Sequence, residues 1–152
     1  MLDDPGTSAL PLAPQNLRIL LVDDQNDLLE VFNLMLQRRF GYAVETAQSG
    51  QQAMEKAIDF SPHLVISDIG MPDMDGIELM ENLRRLEGNQ LSPFKAIALS
   101  GYDLNEDDRV FSCGYDAHFT KPVDFENLFI MLEQMALEMK AAHSKTSSTT
   151  SD

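Results

Sequence analysis

The chain has 152 residues, 25 of them Asp or Glu and only 11 Lys or Arg, for a formal net charge of -14. Nucleic acid and anionic membrane surfaces both reward clusters of Lys and Arg, so this balance argues against either as a direct partner. At 43% hydrophobic residues the chain can build one domain with spare length at its ends, and its single cysteine, Cys113, excludes an internal disulfide, which points to a reducing, cytoplasmic setting.

Residues 1–16 carry three prolines and no period, and read as a flexible linker. The opening is acidic and lacks the basic start and apolar run of a signal peptide. No stretch approaches the length of a membrane span. Leu17 to Val22, LRILLV, is a near-continuous apolar run, as expected of a strand buried on both faces. Asn26 or Asp27 can cap a helix with Leu28, Phe32, Met35, Leu36 and Phe40 at helical spacing, and Gly41 stops it. Tyr42 to Thr46 is a second strand. Ser49 then caps a helix with Ala53, Met54, Ala57 and Ile58 on one face, ended by Pro62.

His63 to Ser67 is the third strand. A helix follows from about Gly76, with Ile77, Leu79, Met80, Leu83 and Leu86 inward. Phe94 to Ser100 is the fourth strand. A short helix near Asn105 to Ser112 has Glu106, Asp107 and Asp108 at its start, where the macrodipole favours anions. Gly114 stops it, and YDAHFT holds a short fifth strand. The last helix starts near Asp124 with Phe125, Leu128, Phe129, Leu132, Met135, Ala136 and Met139 as its stripe. The domain is placed at 17–140. The polar, Ser/Thr-rich residues 141–152 read as a disordered tail.

Five strands alternating with five helices predict an α/β fold with a doubly wound parallel sheet. Sites in such sheets lie at the carboxyl ends of the strands, near the point where the winding reverses. The residues just past those ends are Asp23 and Asp24, Asp68, Ser100 and Gly101, and Lys121 followed by Pro122. In the order 2-1-3-4-5, strands one and three are neighbours, and Asp23, Asp24 and Asp68 share one small volume. Three such carboxylates repel, so either one is protonated or a cation neutralises them. Hard oxygen ligands suit Mg²⁺. A carboxylate is also a nucleophile toward phosphoryl groups, and a lysine and a hydroxyl can bind the oxygens of the group transferred.

These parts, in this order, resemble the receiver domain of two-component response regulators. The motifs are VDD at Val22 to Asp24, SDIGMPDMDG at Ser67 to Gly76, ALSG at Ala98 to Gly101, and KP at Lys121-Pro122. The resemblance covers about Leu17 to Met139 and implies a flavodoxin-like (βα)5 fold. By resemblance, Asp68 accepts a phosphoryl group from a histidine kinase or histidine phosphotransfer protein. Asp23, Asp24, Asp68 and the backbone carbonyl of Gly70 hold Mg²⁺. Ser100 binds a phosphoryl oxygen and switches its loop. Lys121 pairs with Asp68 or its phosphate, aimed inward by a cis bond before Pro122.

The resemblance also implies a responsive surface made of the fourth helix, fifth strand and fifth helix, near Tyr102 to His118 and along Asp124 to Lys140. A homodimer would form through that surface. Output is expected through a partner, a dimer, or a domain beyond these residues. His118 stands at the switch position where Tyr or Phe is frequent. Gly70 offers no side chain to orient an attacking water and Tyr102 is bulky, so the phosphoryl group is expected to persist. DIGMP, ALSGY and DAHFTKPVD look like receivers attached to hybrid histidine kinases.

Competing readings are weighed against this one. A Mg²⁺-dependent phosphatase with an aspartate nucleophile commonly has an acid two residues on, where this chain has Gly70. A phosphorylation-independent docking module would not need the full acidic pair, acceptor, hydroxyl and lysine. Asp73 and Asp75 read as turn and cap residues rather than ligands. His63 faces solvent or packs, His143 has no evident role, and Cys113 and most methionines read as core.

Overall fold

A computed structural model describes residues 17–101 and 109–151, with 140–151 as backbone alone. The linker expected over 1–16, Tyr102, and the acidic helix start at Asn105 to Asp108 lie outside the described residues.

The strands are β1 (Arg18–Val22), β2 (Ala43–Ala47), β3 (Leu64–Asp68), β4 (Lys95–Ser100) and β5 (Ala117–Thr120). They form one parallel sheet in the order 2-1-3-4-5, the flavodoxin-like arrangement that the sequence predicts. The helices are α1 (Asn26–Phe40), α2 (Gly50–Phe60), α3 (Gly76–Leu86), α4 (Arg109–Ser112) and α5 (Phe125–Ser151). The sheet and the first four helices, Arg18–Asp124, form one compact unit, and α5 belongs to a second.

The central strands lack period-two alternation because both their faces are covered. Leu20, Val22, Val65, Ala96 and Ala98 share a core with Ala53 and Ala57 of α2, Ile77, Leu79, Met80 and Leu83 of α3, and Val110 of α4. On the opposite face, Leu21, Ile66 and Leu99 line a small void with Leu29 and Phe32 of α1. Register pairs Val22 with Ser67, and Asp68 with Leu99. The winding therefore reverses between β1 and β3, and their carboxyl ends sit side by side.

Several local expectations shift. Residue 25, not Asn26 or Asp27, is the N-cap of α1, and Leu29 rather than Leu28 is buried beside Phe32 and Leu36. β2 begins one residue later than the sequence suggests, at Ala43. Ile58 is exposed, because the small residues Ala53 and Ala57 already bring α2 close to its neighbours. The stop after Phe60 is a left-handed Ser61, one residue ahead of Pro62.

Ser49 caps α2 as expected, accepting from Gln52 N–H at 3.1 Å. His63 packs rather than facing solvent. Its Nδ1 accepts from Arg18 N–H at 2.9 Å, and its own N–H donates to Arg18 O at 2.8 Å. Burial, and then the Arg18 charge, lower its pKa.

Taken by itself, α5 buries Leu128, Phe129, Leu132, Met135 and Ala136, five of the seven residues of its expected stripe. Its helical backbone continues to Ser151, past residue 140 where the sequence places the end of the ordered domain.

Candidate functional site

Each carboxylate is delivered by the end of a strand. Asp23 follows β1, and its N–H extends the parallel ladder by donating to Ala47 O at 3.1 Å. Its Oδ1 accepts from Gln25 N–H at 2.9 Å, which turns the chain toward α1. Asp68 is the last residue of β3, and the next N–H, of Ile69, donates to Leu99 O at 2.8 Å. Both side chains are held at the sheet edge by backbone pairing, and both residues are buried, at 3% and 6% exposure. Asp24 is exposed. One carboxylate oxygen from each of Asp23, Asp24 and Asp68 falls within 4.8 Å of the others.

Lys121 enters from β5. Its N–H donates to Ser100 O at 2.6 Å, and the Lys121–Pro122 bond is cis. Its Nζ lies 3.0 Å from Asp23 Oδ2 and 3.4 Å from Asp68 Oδ1. The lysine therefore bridges the two buried carboxylates: it reaches Asp68, as the resemblance implies, and sits nearer Asp23. Ser100 is fully buried, one residue past the register partner of Asp68.

The electrostatics follow from this packing. Burial and the neighbouring Asp23 raise the Asp68 pKa, opposed by the charge and hydrogen bond of Lys121 and by the Gly70 N–H. For Lys121, burial works to lower the pKa, but the hydrogen bond and charge of Asp23, and then those of Asp68, outweigh it and leave it raised. The site thus holds a cationic amine, with one carboxylate that is costly to keep charged. Hard oxygens in this number, with Asp24 open to water, fit a divalent ion such as Mg²⁺.

The loop after Asp68 divides its acids as the sequence suggests. Asp73 adopts a left-handed turn conformation (φ 65°). Asp75 caps α3, accepting from Glu78 N–H at 2.9 Å. His118 lies in β5 opposite Ala98, its ring edge-on to Phe111 at 5.4 Å.

Two residues near the site carry more than the sequence assigns them. A Cβ on Gly76 would come within 2.5 Å of Asp68 O and 2.7 Å of Ile69 Cα, so α3 starts against the Asp68 backbone only because residue 76 is glycine. Its N–H donates to Ile69 O at 2.8 Å. The signal available in the sequence was a glycine at the first helical position, directly after a capping Asp. The other residue is Tyr115, buried, whose hydroxyl donates to Gly76 O at 2.8 Å. Nothing in its sequence neighbourhood marks that contact.

Comparison with known proteins agrees with the geometry. The family model of the response regulator receiver domain matches residues 19–133. The chain is 36% identical over 109 residues to the alkaline phosphatase synthesis transcriptional regulatory protein PhoP of Bacillus subtilis, a match spanning 70% of this chain and 43% of PhoP. It is 34% identical over 125 residues to the sensor protein EvgS of Escherichia coli, spanning 80% of this chain and 10% of EvgS. Among solved structures, the chemotaxis protein CheY4 of Vibrio cholerae superposes with a TM-score of 0.72 at 28% identity, covering 79% of this chain and 98% of CheY4. With a strand order, a reversal point and an acidic cluster that all agree with the match, the chain belongs to the response regulator receiver domain family of two-component signalling.

Proposed function

We propose that this receiver takes a phosphoryl group from a phosphohistidine onto Asp68. The observation that carries the reading is the lysine-bridged pair of buried carboxylates, Asp23 and Asp68, with Asp24 completing an oxygen cluster at the reversal point of the sheet. Asp23, Asp24 and Asp68, with the carbonyl of Gly70, would hold Mg²⁺. When bound, the ion offsets charge on the transferring group.

Deprotonated Asp68 attacks phosphorus, the P–N bond to the donor imidazole breaks, and the imidazole leaves with the bonding pair. Lys121 supplies positive charge to the phosphoryl oxygens, and the Ser100 hydroxyl donates to one of them. Asp23 holds the amine by its hydrogen bond, so the lysine is already oriented before phosphate arrives.

The donor is a histidine kinase or a histidine phosphotransfer protein. The likeness to a sensor protein supports a receiver attached to a hybrid kinase. A charge-assisted hydrogen bond is worth about 1.5–3 kcal/mol. That biases a two-state equilibrium by roughly ten- to hundredfold. Ser100 and His118 carry this bias to the α4-β5-α5 surface, through which a partner or a homodimer reads the signal. The receiver spans 17–140, after a linker and before a tail. It acts as a switch that catalyses only its own phosphorylation and dephosphorylation. Among the described residues no helix is long and apolar enough to cross a membrane.

Mg²⁺-dependent uptake of one phosphoryl group tests the reading. Uptake that survives Asp68→Asn unchanged, or none at all, overturns it.

A further inference from the structure

Tyr115 lies between α4 and β5, in the segment that also bears the proposed responsive surface, yet its hydroxyl ends beneath the acceptor loop. The ring is buried at 3% exposure. Its backbone is fixed at the α4 end, where its N–H donates to Val110 O at 3.3 Å and the preceding carbonyl, of Gly114, accepts from Arg84. The hydroxyl donates to Gly76 O at 2.8 Å, in the first turn of α3. Gly76 in turn presses on the Asp68 carbonyl and donates to Ile69 O. On the same backbone, the Ser67 hydroxyl donates to Asp68 O at 2.9 Å. One short chain of contacts, from the Tyr115 hydroxyl through Gly76, thus links the phenol to the Asp68–Ile69 backbone.

We propose that Tyr115 is a positioning residue for Asp68: its hydroxyl holds the first turn of α3, and with it the Asp68–Ile69 backbone, where the carboxylate can attack phosphorus. The proposal rests on the reading of Asp68 as the acceptor. It adds a link that the phosphoryl-binding residues do not provide, because the same side chain spans from the α4–β5 segment to the attacking residue. Reaction rates are sensitive to placement at this scale, since a misplacement of about 1 Å costs on the order of a hundredfold.

The test is Tyr115→Phe, which removes the hydroxyl and keeps the ring. Uptake of phosphate from acetyl phosphate is followed by intact mass at saturating Mg²⁺, over a range of acetyl phosphate, to separate kcat from KM. Val110→Ala serves as a control, since it opens the same core without touching the Tyr115–Gly76 hydrogen bond. The expected result is a fall in kcat of roughly fivefold or more for Tyr115→Phe with KM unchanged, and a rate close to wild type for Val110→Ala.

A Tyr115→Phe rate within about twofold of wild type, or an equal fall in Val110→Ala, overturns the proposal. Wild-type protein that takes no phosphate overturns the reading of Asp68 itself, which is a distinguishable failure. Should Tyr115→Phe be too unstable to assay, Tyr115→Met, which also removes the hydroxyl while filling much of the ring's space, carries the same expectation and the same refutation.

Discussion

Lys121 Nζ donates to Asp23 Oδ2 at 3.0 Å, closer than its 3.4 Å approach to Asp68 Oδ1. The amine is therefore anchored by one carboxylate and shared with the other. Its raised pKa means that the stability it contributes is fully present below 10.5 and is lost as pH rises through the higher folded value. Lys121→Ala leaves two buried carboxylates facing each other. At neutral pH without Mg²⁺ it should destabilise the fold by about 1–3 kcal/mol. It should also slow phosphate uptake about a hundredfold, the scale of losing one charge-stabilising donor. Urea unfolding and acetyl phosphate labelling read the two effects. A variant equal to wild type in both would show that the bridge is idle.

Asp68 carries the opposite burden. Its folded pKa is raised above 3.8, so its contribution to stability is fully present only below that value and is lost as pH climbs through the folded pKa. Asp68→Asn escapes the cost of charging a buried group. Without Mg²⁺ at pH 7 it should be more stable than wild type by about 0.5–2 kcal/mol. The gap should close as the solution is acidified past the Asp68 pKa, and narrow when Mg²⁺ is added to wild type. Urea melts across this pH range check it. A wild type as stable as the variant at pH 7 contradicts the picture of a strained acceptor.

The loop after Asp68 separates structural glycine from structural acid. Gly76→Ala drives a Cβ against the Asp68 carbonyl. It should cost about 1–3 kcal/mol through overpacking, and it should depress phosphate uptake by moving the acceptor backbone. Asp75→Ala removes only the α3 cap, for about 1 kcal/mol, and should leave uptake near wild type. Thermal melts beside labelling rates separate the two. Equal rates for both variants would mean that Gly76 does not place Asp68.

Much of this was legible in the sequence because strong signals agreed. The buried runs at Leu17 to Val22 and His63 to Ser67, each ending in a carboxylate, gave away both the parallel sheet and its chemical edge. Asp75 was readable as a cap from its place before Gly76, and Asp73 as a turn residue. The preference of Lys121 for Asp23 was hidden because two carboxylates at equal chemical footing cannot be ranked without distances. The reach of Tyr115 to Gly76 depends on packing between segments 39 residues apart, which no local period encodes. Leu28 is expected in place of Leu29 because they stand four and three residues before Phe32, both on its face of the helix, and spacing alone does not rank them.

The central claim is that Asp68 is the phosphoryl acceptor of this receiver. Incubation of the whole chain with acetyl phosphate, with and without Mg²⁺, followed by intact mass and by peptide mapping of the labelled protein, tests it most directly. The predicted result is a single added phosphoryl group that requires Mg²⁺, maps to Asp68 and disappears in Asp68→Asn. No phosphate uptake by wild type, or labelling that persists in Asp68→Asn, would contradict it.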